Sequence, residues 1–220
     1  MNLHELFAAQ KKLDADITAH HPALEGENRL EKKVLALLVE LGECANEWRG
    51  FKFWSNRQEP NDFKREHCPE CFEKGYYRGN PPKDEKKGVH GLGNHWYHCE
   101  KCLGFLVVDK NPLLEEYVDC LHFILSIGND LEINAEHEKM KKFVRMNKLE
   151  DSTVTELFAE AFREFSGLAT LRGLINEMNY VFGFVRFLNI GANLGFTWEQ
   201  VEAAYYAKNK INHNRQRSGY

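Results

Sequence analysis

Two apolar stretches of the chain each carry a pair of acidic residues three positions apart, and this feature constrains the fold most. The stretches cover residues 34–54 and 113–123, and both have the apolar spacing of a helix. The pairs are Glu40 with Glu43 and Glu116 with Asp119. A spacing of three places both members of a pair on the same helix face. Carboxylates close to one another and to apolar side chains are costly to ionise, so they need a counter-charge. The pattern therefore predicts two helices that hold a hard cation such as Mg²⁺.

The alternative is an acidic flank exposed to water on two ordinary helices. One pair alone is more typical of that arrangement. No Lys or Arg lies between Val34 and Trp48 or between Leu113 and Phe123, so neither stretch supplies its own positive charge. Two such pairs in one chain favour the metal site.

Between these two stretches lies a segment of different composition, residues 57–111, which lacks helical periodicity. It contains two CxxC pairs, which are Cys68 with Cys71 and Cys99 with Cys102. Each pair supplies two thiolates, and four thiolates close a tetrahedral structural zinc site with no open position. We therefore predict an inserted zinc-ribbon module with four cysteine ligands, which depends on its metal to fold because it has little apolar core. The remaining cysteines, Cys44 and Cys120, lie on the apolar helices and are expected to be small buried side chains.

The rest of the chain reads as helix, so the fold class is all-α, a helical bundle with the small insert. Residues 3–19 have a core stripe in which Gln10 takes an apolar position. Gly50 is expected to cap the first carboxylate helix, Pro112 to open the second and Ser152 to cap another. A long apolar helix is expected over residues 168–188. Thr197 and Gln200 form a capping box for the last helix.

Several polar and aromatic residues outside the acidic pairs are candidates for ligand binding. Gln10 needs a hydrogen-bond partner, which is either protein backbone or a ligand. The segment around Trp54 follows the first acidic pair and either stacks on a planar base or packs in the core. Three residues on the last helix share a face and suit phosphates, although cations near a helix end also favour its dipole. These three residues are Lys208, Asn212 and Arg215.

Composition limits the class of protein. The chain has 220 residues, of which 43% are hydrophobic and 28% charged, with a formal net charge of −4. This balance argues against a general binder of nucleic acid or membrane surfaces. No apolar run is long enough to span a bilayer, and the charged N-terminus has no signal-peptide core, so we expect a cytoplasmic protein. The surplus of apolar helix faces predicts a homodimer.

In combination, these motifs resemble those of the dimeric, all-α dUTPases, the dUTPase-2 group, which are relatives of the MazG-like nucleotide pyrophosphatases. The resemblance rests on ELGE at Glu40–Glu43, EYVD at Glu116–Asp119, the early QxxLD at Gln10–Asp14, the KFW segment at Lys52–Trp54, and the terminal AYYAKNKINHNRQ. It covers most of the chain outside residues 57–111. The inserted zinc ribbon is a departure from the simpler members of the family.

The resemblance implies Mg²⁺-dependent hydrolysis of dUTP, and also of dUDP, with dUMP and pyrophosphate formed from dUTP. It implies that the four acidic residues are Mg²⁺ ligands, with Glu43 also positioning the attacking water. Uracil contacts are implied for Gln10 and Trp54, a place in the nucleoside pocket for His122, and phosphate contacts for Lys208, Asn212 and Arg215.

Two rival hypotheses remain open. The first is a MazG-like pyrophosphatase that acts on another nucleotide, such as dCTP. The second belongs to a different class: an adaptor that binds partners through its zinc ribbon and uses the helices only as a dimer scaffold. The physical chemistry of the residues does not choose the base, whereas the resemblance favours uracil.

Overall fold

The computed structural model describes residues 2–73, 101–102, 107–133, 152–169 and 174–219. The chain divides into two compact units. One unit combines Met1–Pro60 with Leu113–Tyr220 and is called the helical body here. The other is Asn61–Pro112, called the cysteine unit.

Helices dominate the described residues, as an all-α fold requires. In chain order the elements are α1 Leu3–His20, α2 Arg29–Trp48, β1 Lys64–His67, α3 Pro69–Glu73, β2 Val107–Lys110, α4 Pro112–Asp130, α5 Val154–Gly167, α6 Leu174–Asn193 and α7 Trp198–Arg217. None of the helices in the described ranges is long and apolar enough to cross a membrane.

Helix α4 is the most buried element of the helical body. Its Tyr117 ring stacks on Phe187 of α6 with ring centroids 4.2 Å apart, and its hydroxyl donates to the Phe187 carbonyl. Tyr180 of α6 in turn donates to the Ile124 carbonyl at 2.9 Å. These contacts fix α4 along its length and thereby fix the position of its acidic pair.

Glycine allows α6 to approach its neighbours closely. A Cβ on Gly183 would lie 2.8 Å from the Phe165 ring of α5, and one on Gly191 would lie 2.4 Å from the Tyr117 hydroxyl. Distances this short exclude any side chain unless the aromatic rings move. The small residues of α6 therefore set the packing distance.

Most helix boundaries follow the sequence patterns, with three corrections. The capping box of α7, Thr197 with Gln200, and the start of α4 at Pro112 are confirmed. Helix α5 is capped by Thr153 rather than Ser152, because Glu156 lies three residues after Thr153 and completes a capping box. Helix α2 ends with Arg49 in the left-handed conformation, at φ 66°, so Gly50 is not the residue that takes it.

The third correction concerns the expected helix over residues 168–188. Helix α5 ends at Gly167 and α6 begins at Leu174, so the pattern belongs to two helices. The two helices pack against each other.

In the cysteine unit, β1 and β2 form an antiparallel pair in which Lys64 faces Lys110 and His67 faces Val107. Cys68 follows β1 directly, and α3 carries Cys71. The buried residues described in this unit are Cys68, Cys71 and Cys102, with Val108 packed against them. Cys99 lies outside the described residues. Little apolar surface other than sulfur is thus buried in the described part of this unit.

Candidate active site

Three of the four predicted metal ligands lie together in the helical body. Carboxylate oxygens of Glu40 and Glu43 on α2 and of Glu116 on α4 all lie within 4.8 Å of one another. Glu40 and Glu116 are half-buried, and Glu43 is exposed. Leu37, Leu41 and Cys44 bury the adjacent face of α2 in the core, so Glu40 and Glu43 lie on the flank of the buried face.

This proximity is electrostatically costly for the carboxylates. Burial, together with the charges of Asp119, Glu43 and Glu40, raises the pKa of Glu116 to about 7. Burial and the charges of Asp119 and Glu43 also raise the pKa of Glu40. The ionised form of these carboxyl groups is disfavoured unless a positive charge lies close by. A hard divalent cation supplies that charge and prefers oxygen ligands. The residues therefore fit Mg²⁺.

The fourth predicted ligand, Asp119, has a different partner. Its Oδ2 lies 2.5 Å from the Nζ of Lys208 on α7, 89 residues further along the chain. Burial raises the pKa of Asp119, while the hydrogen bond and charge of Lys208 act in the opposite direction. Asp119 is not a member of the group formed by the three glutamates.

A cavity of about 340 Å³ connects this acidic region with the polar face of α7. Glu40 and Asp119 line it, as do Lys208, Asn212 and Arg215, the three residues expected to hold phosphates. Gln10 and His122 also line it. The volume is within the usual range for small-molecule sites. Of the predicted site residues, Glu43, Glu116 and Trp54 are not among those that line this cavity.

Away from the acidic residues, Gln10 is fixed by three hydrogen bonds. Its Oε1 accepts from the hydroxyl of Tyr205 at 2.9 Å and from Nδ1 of His122 at 2.8 Å. Its Nε2 donates to Asp14 at 2.9 Å. The oxygen is therefore fully used, and the second N–H of the amide is the group left to contact a ligand.

His122 is held in one neutral form. Because Nδ1 donates to Gln10, Nε2 is an acceptor, and it is buried without a partner among the described residues. Burial and the charge of Lys208 lower the pKa of His122 to about 3. The imidazole ring also stacks on Tyr205 at 4.2 Å between centroids. His122 thus brings an uncharged acceptor to the cavity wall.

Asp14 and Ser126 are among the cavity residues that were not predicted from the sequence as site residues. Oδ1 of Asp14 accepts from the Ser126 hydroxyl at 2.9 Å and from Gln10, whereas Oδ2 is buried without a partner among the described residues. Burial raises the pKa of Asp14. The available signal was the spacing of four between Gln10 and Asp14, which places them on one helix face.

Trp54 does not reach the cavity. Phe53 and Trp54 follow α2 in a turn and are 84% and 66% exposed. Their rings contact each other edge to face at 5.0 Å, and Trp54 also contacts Phe51. The expected contact between Trp54 and a base stays a prediction.

In the cysteine unit, the sulfurs of Cys68, Cys71 and Cys102 lie within 4.8 Å of one another, and those of Cys71 and Cys102 are 3.5 Å apart. Tetrahedral zinc with bonds of about 2.3 Å holds its sulfurs roughly 3.8 Å apart. The three cysteines thus have the spacing of a metal site. By contrast, Cys44 and Cys120 are buried in the core of the helical body, as the sequence analysis expected.

Comparison with known proteins gives one family. A model of the family dUTPase_2, described as dUTPase, matches residues 2–67 and 106–220. The match includes all four acidic residues of the site and the polar face of α7, and it omits the segment that carries Cys68, Cys71, Cys99 and Cys102. No curated protein matches the chain.

Proposed function

The chain belongs to the dUTPase_2 family, and from this premise we propose that it hydrolyses dUTP, and also dUDP, in a Mg²⁺-dependent reaction that converts dUTP to dUMP and pyrophosphate. The observation that carries the proposal is the group of three glutamate carboxylates within 4.8 Å, close to a cavity lined by Lys208 and Arg215. A nucleotide's phosphate chain needs both a cation site and positive side chains.

Each residue of the site has a proposed task in this reaction. Glu40, Glu43, Glu116 and Asp119 hold Mg²⁺, which neutralises charge on the phosphates when it is bound. Glu43 also orients the attacking water and accepts its proton, a task that suits the exposed member of the group. Lys208, Asn212 and Arg215 bind the phosphate oxygens, and Arg215 can do so with two parallel hydrogen bonds.

The base is proposed to lie near Gln10, where donors and acceptors alternate. The remaining N–H of Gln10 can donate to uracil O4, and the free Oδ2 of Asp14 can accept from uracil N3–H. Trp54 is proposed to stack on the base from its turn after α2, and His122 to line the nucleoside pocket with its neutral ring.

The same donor and acceptor also match cytosine, and this observation favours dCTP as a second candidate. Asp14 would then accept from the cytosine amino group and Gln10 would donate to N3. Release of pyrophosphate from a panel of dNTPs, measured with and without Mg²⁺, separates the two. We expect dUTP to be preferred by a wide margin, whereas preference for dCTP or another nucleotide contradicts the uracil assignment.

The substitution Glu43→Gln tests whether the helices form an enzyme or only a scaffold. We expect hydrolysis to fall about 10²–10⁴-fold, the usual contribution of a general base. Glu47→Gln is the matched control, because Glu47 lies one turn further along α2 outside the carboxylate group. If Glu43→Gln keeps full activity, with circular dichroism unchanged, the proposed catalytic task is wrong.

We also propose that the cysteine cluster holds a structural Zn²⁺ through Cys68, Cys71, Cys102 and Cys99. The spacing of the three described sulfurs supports this, and so does their burial. Metal analysis of the purified protein should give one zinc per chain. Loss of zinc in Cys68→Ser with full occupancy in Cys44→Ala is the expected pattern.

A homodimer is proposed from the surface of α2. Leu35 and Val39 lie one turn apart on this helix and are 65% and 51% exposed, which is unusual for two aliphatic side chains on one face. Light scattering coupled to size-exclusion chromatography should give twice the mass of one chain, which is 25.6 kDa. A monomer at micromolar concentration contradicts the proposal.

A further inference from the structure

One ion pair in the site connects the two groups that a metal-bound nucleotide would need to separate. Nζ of Lys208 lies 2.5 Å from Oδ2 of Asp119, and the two side chains are only 24% and 17% exposed. Asp119 is a proposed metal ligand, and Lys208 is a proposed phosphate ligand. Each of the two side chains therefore occupies the charged group with which the other would bind its ligand.

The charge of Lys208 acts on the whole acidic region, beyond Asp119 alone. It opposes the burial that raises the pKa of Glu40 and of Glu116, as well as that of Asp119. It also lowers the pKa of His122. Arg215 adds to the effect on Asp119, whereas Lys208 acts on all three carboxyl groups. Lys208 is thus a counter-ion of this cluster.

Lys208 and a divalent cation would compete for Oδ2 of Asp119. An ammonium group at hydrogen-bond distance from a ligand oxygen blocks that oxygen and repels a second positive charge at short range. Once released, the same ammonium lies on the wall of the cavity that Asn212 and Arg215 also line. Its length and its place on α7 therefore suit a second position on a phosphate oxygen.

We infer that Lys208 is a positioning residue that exchanges partners, leaving Asp119 for the phosphate chain, so that cation and phosphate bind with positive coupling. This inference rests on the proposed function for the identity of the two ligands. It predicts a cost to binding the cation alone, since the ion pair must break without a phosphate to receive Lys208. It predicts a gain when both ligands are present.

The test measures binding, not turnover. Mn²⁺ replaces Mg²⁺ as the probe and is followed by electron paramagnetic resonance, and inorganic pyrophosphate is the phosphate probe. Lys208→Met removes the charge and keeps the length of the side chain. Lys210→Met is the control, because Lys210 is exposed on the same helix and does not line the cavity. Lys208→Arg restores the charge and guards against a loss that is merely structural.

We expect the affinities for Mn²⁺ and for pyrophosphate to change in opposite directions. Lys208→Met should bind Mn²⁺ alone at least about fivefold more tightly than the wild type, and should bind pyrophosphate at saturating Mn²⁺ at least about fivefold more weakly, the lower end of usual coupling between sites. Lys208→Arg should restore most of the coupling, and Lys210→Met should match the wild type.

Two results overturn the inference. The first is unchanged or weaker Mn²⁺ binding in Lys208→Met, because Lys208 would then be a simple phosphate ligand. The second is equal effects in Lys208→Met and Lys210→Met, because the change would then follow from the loss of one positive charge on α7 and not from the ion pair with Asp119. Failure of the proposed function is visible separately, as the absence of dNTP hydrolysis in the wild type, and it leaves the binding measurements interpretable.

Discussion

The helical body and the cysteine unit each contain a cluster of metal-ligating side chains, but they hold it in opposite ways. In the helical body, a core that includes Leu37, Tyr117 and Phe187 sets the positions of α2 and α4. The carboxylates of Glu40, Glu43 and Glu116 come together despite their repulsion. In the described part of the cysteine unit, the buried residues are the cysteines themselves, which we propose as zinc ligands.

The difference predicts which part depends on its proposed ion to fold. Where an apolar core exists, the fold can hold a strained arrangement of charges until a substrate and a cation arrive. Where ligands make up the interior, metal binding supplies the folding free energy. The family match agrees with this division, since it covers the helical sequence and stops at the CxxC pairs.

The largest expected effect comes from removing zinc. A zinc-selective chelator, added with excess Mg²⁺, should expose residues 61–112 to protease while the helical body keeps its helical signal. The reason is that structural zinc contributes about 10–16 kcal/mol to comparable small sites. Limited proteolysis with mass spectrometry maps the order of cleavage. Cleavage inside α1, α2 or α4 before cleavage in the cysteine unit would contradict the prediction that the cysteine unit is the part that depends on zinc.

A smaller effect is expected from crowding the core of the helical body. Gly183→Ala places a Cβ 2.8 Å from the Phe165 ring, which should cost about 1–3 kcal/mol of unfolding free energy. Its control is Gly42→Ala on α2, where a Cβ meets nothing within 4 Å. There we expect a gain of roughly 0.5–1 kcal/mol, since alanine is the better helix former.

Thermal melting by circular dichroism measures both variants, and zinc content should stay unchanged in each. At about 2–4 °C per kcal/mol for a chain of this size, the two melting temperatures should shift in opposite directions. Equal shifts would mean that α5 and α6 do not depend on the close contact at Gly183.

The local patterns of the helical body were readable from the sequence because apolar periodicity, capping boxes and proline act over a few residues. The corrections arise where two candidates compete locally. Ser152 and Thr153 are both good caps, and only the position of Glu156 decides between them. At the end of α2, a Cβ on Gly50 would lie 2.4 Å from the Trp48 ring, so this glycine makes room for the indole while Arg49 takes the left-handed conformation.

Only part of the site could be predicted from the sequence, because residue spacing indicates which residues share a helix face but not which helices pack together. The acidic pairs indicated Glu40, Glu43, Glu116 and Asp119 as one group, and the first three have carboxylate oxygens within 4.8 Å of one another. The pairing of Asp119 with Lys208 joins residues 89 positions apart, and the contact of Ser126 with Asp14 joins residues 112 apart. Such contacts depend on the tertiary packing of α1, α4 and α7, for which the sequence has no local signal.

The smallest expected effect concerns Glu116. It tests how much unfolding free energy the repulsion within the acidic cluster of the helical body costs when no cation is bound. Folding raises the pKa of Glu116 from 4.5 to about 7, so the folded state binds this proton more tightly than the unfolded state does. The protein without Mg²⁺ should therefore lose stability as the pH rises from about 4.5 to 7, and should lose no more from this group above that range. Because Glu116 is only half-buried, solvent screening reduces the effect to the order of 1 kcal/mol.

The variant Glu116→Gln isolates this contribution from all other titrating groups. Below a pH of about 4.5 its unfolding free energy should equal that of the wild type, since both side chains are then neutral. At a pH of about 8 and without Mg²⁺ the variant should be the more stable protein, and saturating Mg²⁺ should reverse the order, because only the carboxylate can hold the cation. Urea unfolding at a series of pH values measures the difference. A variant that is less stable than the wild type at this alkaline pH without Mg²⁺ would show that Glu116 has a stabilising partner in the fold, and that the acidic cluster is not held against its own repulsion.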